Sequence, residues 1–493
     1  MKSPQQANTF ESQAFAGLLK TVDIAGTTET VMYGGDRKLD LLKSALVNVK
    51  QISVIGWSSQ GPAQAQNLRD SIKAAGLDIK VVVGLREGSA SRAKAKAAGF
   101  TEADGTLTTV EEAIKNADMT LLLIADAAMA QHGKELIGLA KSGSDICLSH
   151  GFYLGYLESV GQKIRSDVNV IGVCPKGMGP SVRRLYEQGS GINASFALQQ
   201  GDAAARDRAL AWALAIGAPY TFQTTLGMEW RSDIFGERAI LLGGVHGIVE
   251  AVYAWKVQHG TAAEQAYAET VGSVVGPISQ TISHQGIKAL VGQFEGEEKD
   301  RFKTAYNAAY PHMKQLIQKI YWDVSSGREI EEVVSDDEHQ VAMTRVDGGA
   351  MWRVGEKVRT STTATETKID PDTAGIYVAA MVAQVDTLRE NGHYWSEVIN
   401  ESIIESVDSL NPYMRARGVD YMVDNCSVTA RRGSRKWAPQ FQAWIVQGVL
   451  PVMDGTRKAD DHHDYFGELV DHQVHQALQV LGQMRPEIDI AVV

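Results

Sequence analysis

Cysteine is scarce in this chain. There are three in 493 residues, Cys147, Cys174 and Cys426, far apart and with no CxxC pair, so an even-numbered disulfide framework is excluded and a reducing compartment is expected. Proline is sparse as well, at 12 residues, and 44% hydrophobic with 22% charged residues is the composition of a folded protein. Basic charge is in deficit. Lys plus Arg number 48 against 59 Asp plus Glu, and a net charge of -11 repels phosphate backbones and anionic membranes, which argues against a nucleic-acid partner. Long apolar runs are missing too. The N-terminus, MKSPQQANTFESQAFAGLLK, has no secretory core, and no uncharged apolar stretch reaches the roughly 20 residues of a spanning helix, so a soluble protein is expected.

What is present is length enough for about three domain equivalents. From about 51 to 226, apolar β-rich runs (QISVIGW, IKVVVGLR, MTLLLIAD, DICLSHG, VNVIGVCPKG) alternate with helical stretches such as AQAQNLRDSIKAAG. Strands apolar on both faces and spaced by helices predict a parallel sheet covered on each side, an α/β domain over 1–227. Beyond Gly227, windows such as ERAILLGGVHGIVEAVYAWKVQHG carry apolar residues at three-to-four spacing, which predicts an all-α domain over 228–493. Between Ser335 and Pro371 the pattern dissolves into a polar, Thr-rich stretch expected to be a surface connector between helical halves of about 228–335 and 372–493. In each half an apolar helix pattern precedes a Gly and, nine residues on, a Glu: Gly260/Glu269 and Gly392/Glu401. That spacing hints at a duplication.

The first strand runs into GWSSQGPAQ, which sets Gly56, Ser58 and Gly61 at the three positions of a GxGxxG loop before a helix. Such a loop turns tightly, lets backbone approach a pyrophosphate and offers the phosphates a helix N-terminus. Ser58 stands where the second glycine is usual, so its hydroxyl either helps to hold phosphate or loosens the approach. Gln60 in the loop and Asp126 after the third run complete the expected cofactor contacts. After the second strand an NAD enzyme places an acid against the ribose; this chain has GLREGSAS, whose Arg86, Ser89 and Ser91 suit a 2′-phosphate and favour NADPH, with Glu87 opposing on charge.

In the helical half, Asp233 and Glu237 are four apart, as are Glu401 and Glu405, so each pair shares a helix face. Like charges so placed destabilise a helix unless they are solvated or a cation lies between them, and all-oxygen ligands select a hard ion such as Mg2+. Glu401 and Glu405 sit among Ile399, Ile403, Ile404 and Val407, which favours burial over solvation. His150 in LSHGF and Lys176 in CPKGMGPSVRR fall at strand ends, where open α/β sheets bind ligands; either is a catalytic candidate or a structural strand-end residue.

Taken together, GWSSQGPAQAQNLRDS, GLREGSAS, LSHGFYLGYL, CPKGMGPSVRRLY, SDIFGERAILLGGVHGIVE, MWRVGEKVR, NESIIESVDSLNP and NCSVTARRGSRKWAP resemble the ketol-acid reductoisomerases, in the long form with a duplicated helical domain. The resemblance spans about 50–450. It implies a Rossmann domain followed by a knotted helical domain, with NADPH and two Mg2+ ions as cofactors. Asp233 would bridge the two ions, Glu237 would bind one, and Glu401 and Glu405 would complete the second ion's shell. Ser427 would hydrogen-bond the substrate, with His150 and Lys176 close by. The implied reaction is alkyl migration in 2-acetolactate or 2-aceto-2-hydroxybutanoate followed by NADPH reduction, in branched-chain amino-acid synthesis. A homo-oligomer, dimer or tetramer, is expected, in the cytoplasm or, for a processed eukaryotic protein, the plastid stroma. Two other readings stay open: a metal-independent NADPH-dependent hydroxyacid dehydrogenase, and an inactive cofactor-binding scaffold.

Overall fold

The computed structural model describes residues 7–335, 344–361, 367–458 and 463–485, and the chain divides into two units. The first gathers residues 7–230 with 484–485 around one mixed sheet. Its strands are β1 (Ala7–Asn8), β2 (Leu19–Ile24), β3 (Thr27–Tyr33), β4 (Gln51–Ile55), β5 (Lys80–Gly84), β6 (Leu107–Thr108), β7 (Met119–Leu122), β8 (Asp145–Leu148), β9 (Asn169–Pro175), β10 (Ala194–Gln200) and β11 (Tyr220–Gln223). They lie in the order β1-β3-β11-β10-β9-β8-β7-β4-β5-β6, with β2 on β3.

The block from β6 to β9 is parallel throughout, with Ile52 in register with both Val81 and Met119. Its residues explain this: Ile52, Val54, Val83, Leu121 and Ile146 are all buried, because helices cover both faces. The chain leaves β4 toward β5 on one side and later crosses to β7 on the other. That reversal opens a crevice beyond the carboxyl end of β4, where the glycine loop lies.

The expectation of a parallel sheet requires a correction at the other edge. β10 runs antiparallel to β9, β11 runs antiparallel to β3, and β2 and β3 form a hairpin that the sequence reading passed over. The hairpin turns at Ala25 and Gly26, φ +49° and +83°, a two-residue turn whose twist matches that of its strands.

The second unit, the described part of residues 231–483, is helical. The helix Pro371–Glu390 is buried on nearly every side, as its Ala, Val and Met content allows, and packs along the 30-residue helix Gly296–Ser325. Leu226–Gln258 is apolar enough to span a membrane by length and composition, but 72% of its apolar 18-residue window is buried within the chain. The expected polar connector also needs correcting. Although 336–343 and 362–366 fall outside the described residues, Ala350–Ser361 is a helix that buries Met351 and Trp352, and the Trp352 indole donates to Glu250 Oε1 at 3.2 Å.

Both Gly260 and Gly392 adopt left-handed conformations, φ +90° and +86°. Five-residue α-helices follow, Ala263–Tyr267 and Trp395–Ile399, and each passes into π-helix: Ala268–Gly272 and Val274–Ile278 in one case, Asn400–Leu410 in the other. Seven-residue helices then begin at Ser279 and at Asn411, 132 residues apart, and the Asn411 side-chain amide donates to Ser279 Oγ at 2.8 Å.

Candidate active site

The glycine loop has the backbone its chemistry requires. Gly56 has φ +103°, and a Cβ there would run into the Leu123 carbonyl; a Cβ on Gly61 would lie 2.6 Å from the Gly56 carbonyl. Only glycine fits at either place. Ser58 and Ser59 are exposed, and the helix Gln60–Ala74 starts with no side-chain cap on its first N–H groups, the kind of donor that suits phosphate. The Gln60 amide donates to the Gly177 carbonyl at 3.1 Å, and Gly179 packs so closely on Ser59 that any side chain would collide with it. The KGMG segment thus braces the loop.

Arg86 is exposed just beyond β5, in a turn through Gly88 at φ +72°. Ser89 N–H donates to the Arg86 carbonyl at 3.2 Å and Ser91 N–H to Ser89 Oγ at 3.3 Å, so the three groups chosen from sequence share one turn at the start of the helix Ser91–Ala97. Arg92 belongs elsewhere, donating to the Leu85 and Thr108 carbonyls. Asp126 is the first residue of the helix Asp126–Gly138.

His150 and Lys176 converge on a residue that the sequence reading missed, Glu229. His150 Nδ1 lies 3.3 Å from Glu229 Oε2, and the Gly151 N–H donates to the same oxygen at 2.5 Å. Glu229 is buried, as is Lys176 at 4% exposure. Burial alone would raise the Glu229 carboxyl, but His150, the charge of Lys176 and the Gly151 N–H more than offset it and hold the group below the usual carboxylate range. The available signal was spacing: in MEWRSDIFGER, Glu229 precedes Asp233 by the same four residues that separate Asp233 from Glu237.

Within the helical unit, the predicted carboxylates come from two segments. Asp233 and Glu237 lie on the helix Leu226–Arg238, Glu401 and Glu405 on the π-helix Asn400–Leu410. Glu401 is fully buried and Glu405 partly so. Gly236, between the first two acids, lies against the second segment: a Cβ there would be 3.6 Å from the Glu401 carbonyl. Ser427 Oγ donates to Glu237 Oε1 at 3.5 Å and, as the cap of the helix Val428–Trp444, accepts from Ala430 N–H at 3.0 Å. Beside it, burial and the negative charges of Glu237, Asp233 and Glu405 push the Cys426 thiol up to about 12. Three of the four expected acids therefore act on one thiol, which is held protonated, so the anionic ligands on offer are carboxylate oxygens, and these suit a hard cation such as Mg2+.

The lower end of the same helix is anchored. Arg238, fully buried, pairs with Glu329 at 2.8 Å and Glu237 at 3.1 Å; Lys436 and the Trp437 indole reach the other Glu329 oxygen at 2.7 and 3.0 Å.

Residues 46–221 match the family profile described as "Acetohydroxy acid isomeroreductase, NADPH-binding domain", and 226–363 match "Ketol-acid reductoisomerase, C-terminal domain". The chloroplastic ketol-acid reductoisomerase of Spinacia oleracea is 47% identical over 501 residues, 99% of this chain and 84% of the relative. That of Pisum sativum is 47% identical over 98% of this chain and 85% of the relative. A solved structure described as an NADH-preferring ketol-acid reductoisomerase from an uncultured archean shares the fold, with TM-score 0.56 and 24% identity over 68% of this chain and 99% of that one. With two domain profiles in order and relatives this similar along almost its entire length, the chain belongs to the ketol-acid reductoisomerase family.

Proposed function

We propose that this enzyme of branched-chain amino-acid biosynthesis couples Mg2+-dependent alkyl migration in 2-acetolactate or 2-aceto-2-hydroxybutanoate to reduction by NADPH, yielding the 2,3-dihydroxy acid. The observation that carries this reading is the close approach of two acidic segments far apart in sequence, where Gly236, between Asp233 and Glu237, lies against the Glu401 carbonyl and Ser427 donates to Glu237. Asp233, Glu237, Glu401 and Glu405 would hold two Mg2+ ions, which when bound act as Lewis acids on the substrate's hydroxyl and ketone oxygens.

The chain's own groups do the rest. The glycine loop and the N-terminus of the helix Gln60–Ala74 hold the pyrophosphate, and Asp126 lies at the start of a neighbouring strand's helix. Arg86, Ser89 and Ser91 take the 2′-phosphate through charge-assisted hydrogen bonds. Glu229, kept anionic, orients the His150 ring and balances the Lys176 ammonium. Ser427, already donating to Glu237, orients the substrate. For a eukaryotic source the plastid stroma is the proposed compartment, as the names of the spinach and pea relatives suggest for those proteins; for a bacterial source it is the cytosol.

The deciding experiment follows NADPH oxidation with 2-acetolactate, with Mg2+ and after EDTA treatment. The reading requires turnover that EDTA stops and Mg2+ restores, and that Asp233→Ala abolishes. Turnover untouched by EDTA would favour a metal-independent hydroxyacid dehydrogenase, and no turnover in either condition an inactive scaffold.

A further inference from the structure

Two buried contacts tie the helix bearing Asp233 and Glu237 to the segment bearing Glu401 and Glu405. In the first, Ser232 Oγ donates to Glu397 Oε1 at 2.5 Å, and neither residue has any exposure. In the second, Gln384, also fully buried, accepts from the Ile240 N–H at 3.0 Å and donates to Ser402 Oγ at 3.1 Å and to the Glu401 carbonyl at 3.4 Å. Ser232 is next to Asp233, Ile240 lies just beyond Glu237, and Glu397 is one turn ahead of Glu401. The acids are bracketed.

Behind Glu397 lies His393. The Glu397 Oε1 atom lies 3.5 Å from His393 Nδ1, and the other ring nitrogen of His393 is 2.8 Å from the Tyr321 hydroxyl. Gln384 reads a feature of the π-helix: winding that departs from the α pattern shifts the usual carbonyl partners, and the amide side chain supplies a donor to Glu401. Four like charges on two segments repel one another, so with no cation present something must keep the segments from parting. Contacts behind metal ligands do that work by fixing ligand orientation.

We infer that Glu397 and Gln384 are positioning residues that hold the four carboxylates at cation-binding spacing before any cation arrives; the inference rests on the reading of those carboxylates as Mg2+ ligands. Calorimetric titration of the full-length protein with Mg2+, without substrate, tests it on the unsubstituted chain, Asp233→Ala, Glu397→Ala, Glu397→Gln and Gln384→Leu, with NADPH binding followed in parallel. Glu397→Ala and Gln384→Leu should weaken Mg2+ binding about 10- to 100-fold, while Glu397→Gln, which keeps an acceptor for Ser232, stays within about threefold. NADPH affinity should not move, and turnover should return at saturating Mg2+. Unchanged Mg2+ affinity in Glu397→Ala and Gln384→Leu overturns the inference, as does an equal loss of Mg2+ and NADPH affinity, the mark of a merely structural role. If Glu397→Ala fails to fold, Ser232→Ala and Gln384→Leu carry the same comparison. Equal Mg2+ uptake by the unsubstituted chain and Asp233→Ala would instead refute the ligand reading itself, and this inference with it.

Discussion

The His150 ring lies 3.3 Å from the carboxylate of Glu229, which also receives the Gly151 N–H. One buried anion therefore fixes both the ring and the strand-end loop that carries it. Glu229→Gln keeps an acceptor for Gly151 but removes the charge, and turnover should fall about 100-fold as the ring loses its orientation. The pH dependence has a definite sign. Because the folded-state value of Glu229 is lowered, its contribution to stability is present above the ordinary carboxylate value of about 4.3 and is lost as pH falls through the lowered one. Urea unfolding of the native chain and Glu229→Gln across pH 3 to 7, on the order of ten points, should show this acid-sensitive component only in the native chain.

Gly56→Ala should destabilise the first unit and abolish NADPH binding, since its Cβ meets the Leu123 carbonyl and its φ of +103° is strained for any side chain. Gly138→Ala is the control, with open space around the added methyl. Thermal melts and NADPH fluorescence should separate the two.

Arg86→Ala should raise the KM for NADPH about 10- to 100-fold, as expected for losing a hydrogen bond between charged groups worth about 1.5 to 3 kcal/mol. NADH kinetics should not change, because NADH has no 2′-phosphate. Equal losses with both cofactors would place Arg86 away from that phosphate.

Glu329→Ala should cost about 3 to 5 kcal/mol in chemical denaturation, because Arg238 is left charged, fully buried and without its main partner. Burial raises the Glu329 carboxyl, but Arg238 and Lys436 lower it further. Its stabilising effect is thus present at neutral pH and lost on acidification, and the variant should lack that part of the acid transition.

How much of this was legible in the sequence depends on how far apart the partners lie. Strands such as QISVI and KVVVG announce themselves because both faces are buried, and Gly56 and Gly61 because their conformations admit nothing larger. The N-terminal hairpin went unread although Ala25-Gly26 between two β-rich runs is a turn signal; Leu19–Ile24 is largely exposed and Thr27–Tyr33, though mostly buried, opens on Thr-Thr-Glu-Thr, so neither has the continuous apolar run that marked the others. Met351 and Trp352 hid a helix inside a segment whose composition reads as connector. Glu229 was within reach of the same four-residue spacing that picked out Asp233 and Glu237. Glu397 and Gln384 were not, since their partners Ser232 and Ile240 lie 165 and 144 residues away and only folding brings them together.

The winding of Asn400–Leu410 also limits how this chain can vary. An α-helix advances about 100° per residue and is the more stable form, so a chain one residue shorter there has an easy route to ordinary winding, with everything past the cut rotated by about that angle. Asn411, past the cut, would swing away from Ser279. The segment can exchange side chains more readily than it can lose one, and its length, as much as its acids, is what natural variation must preserve.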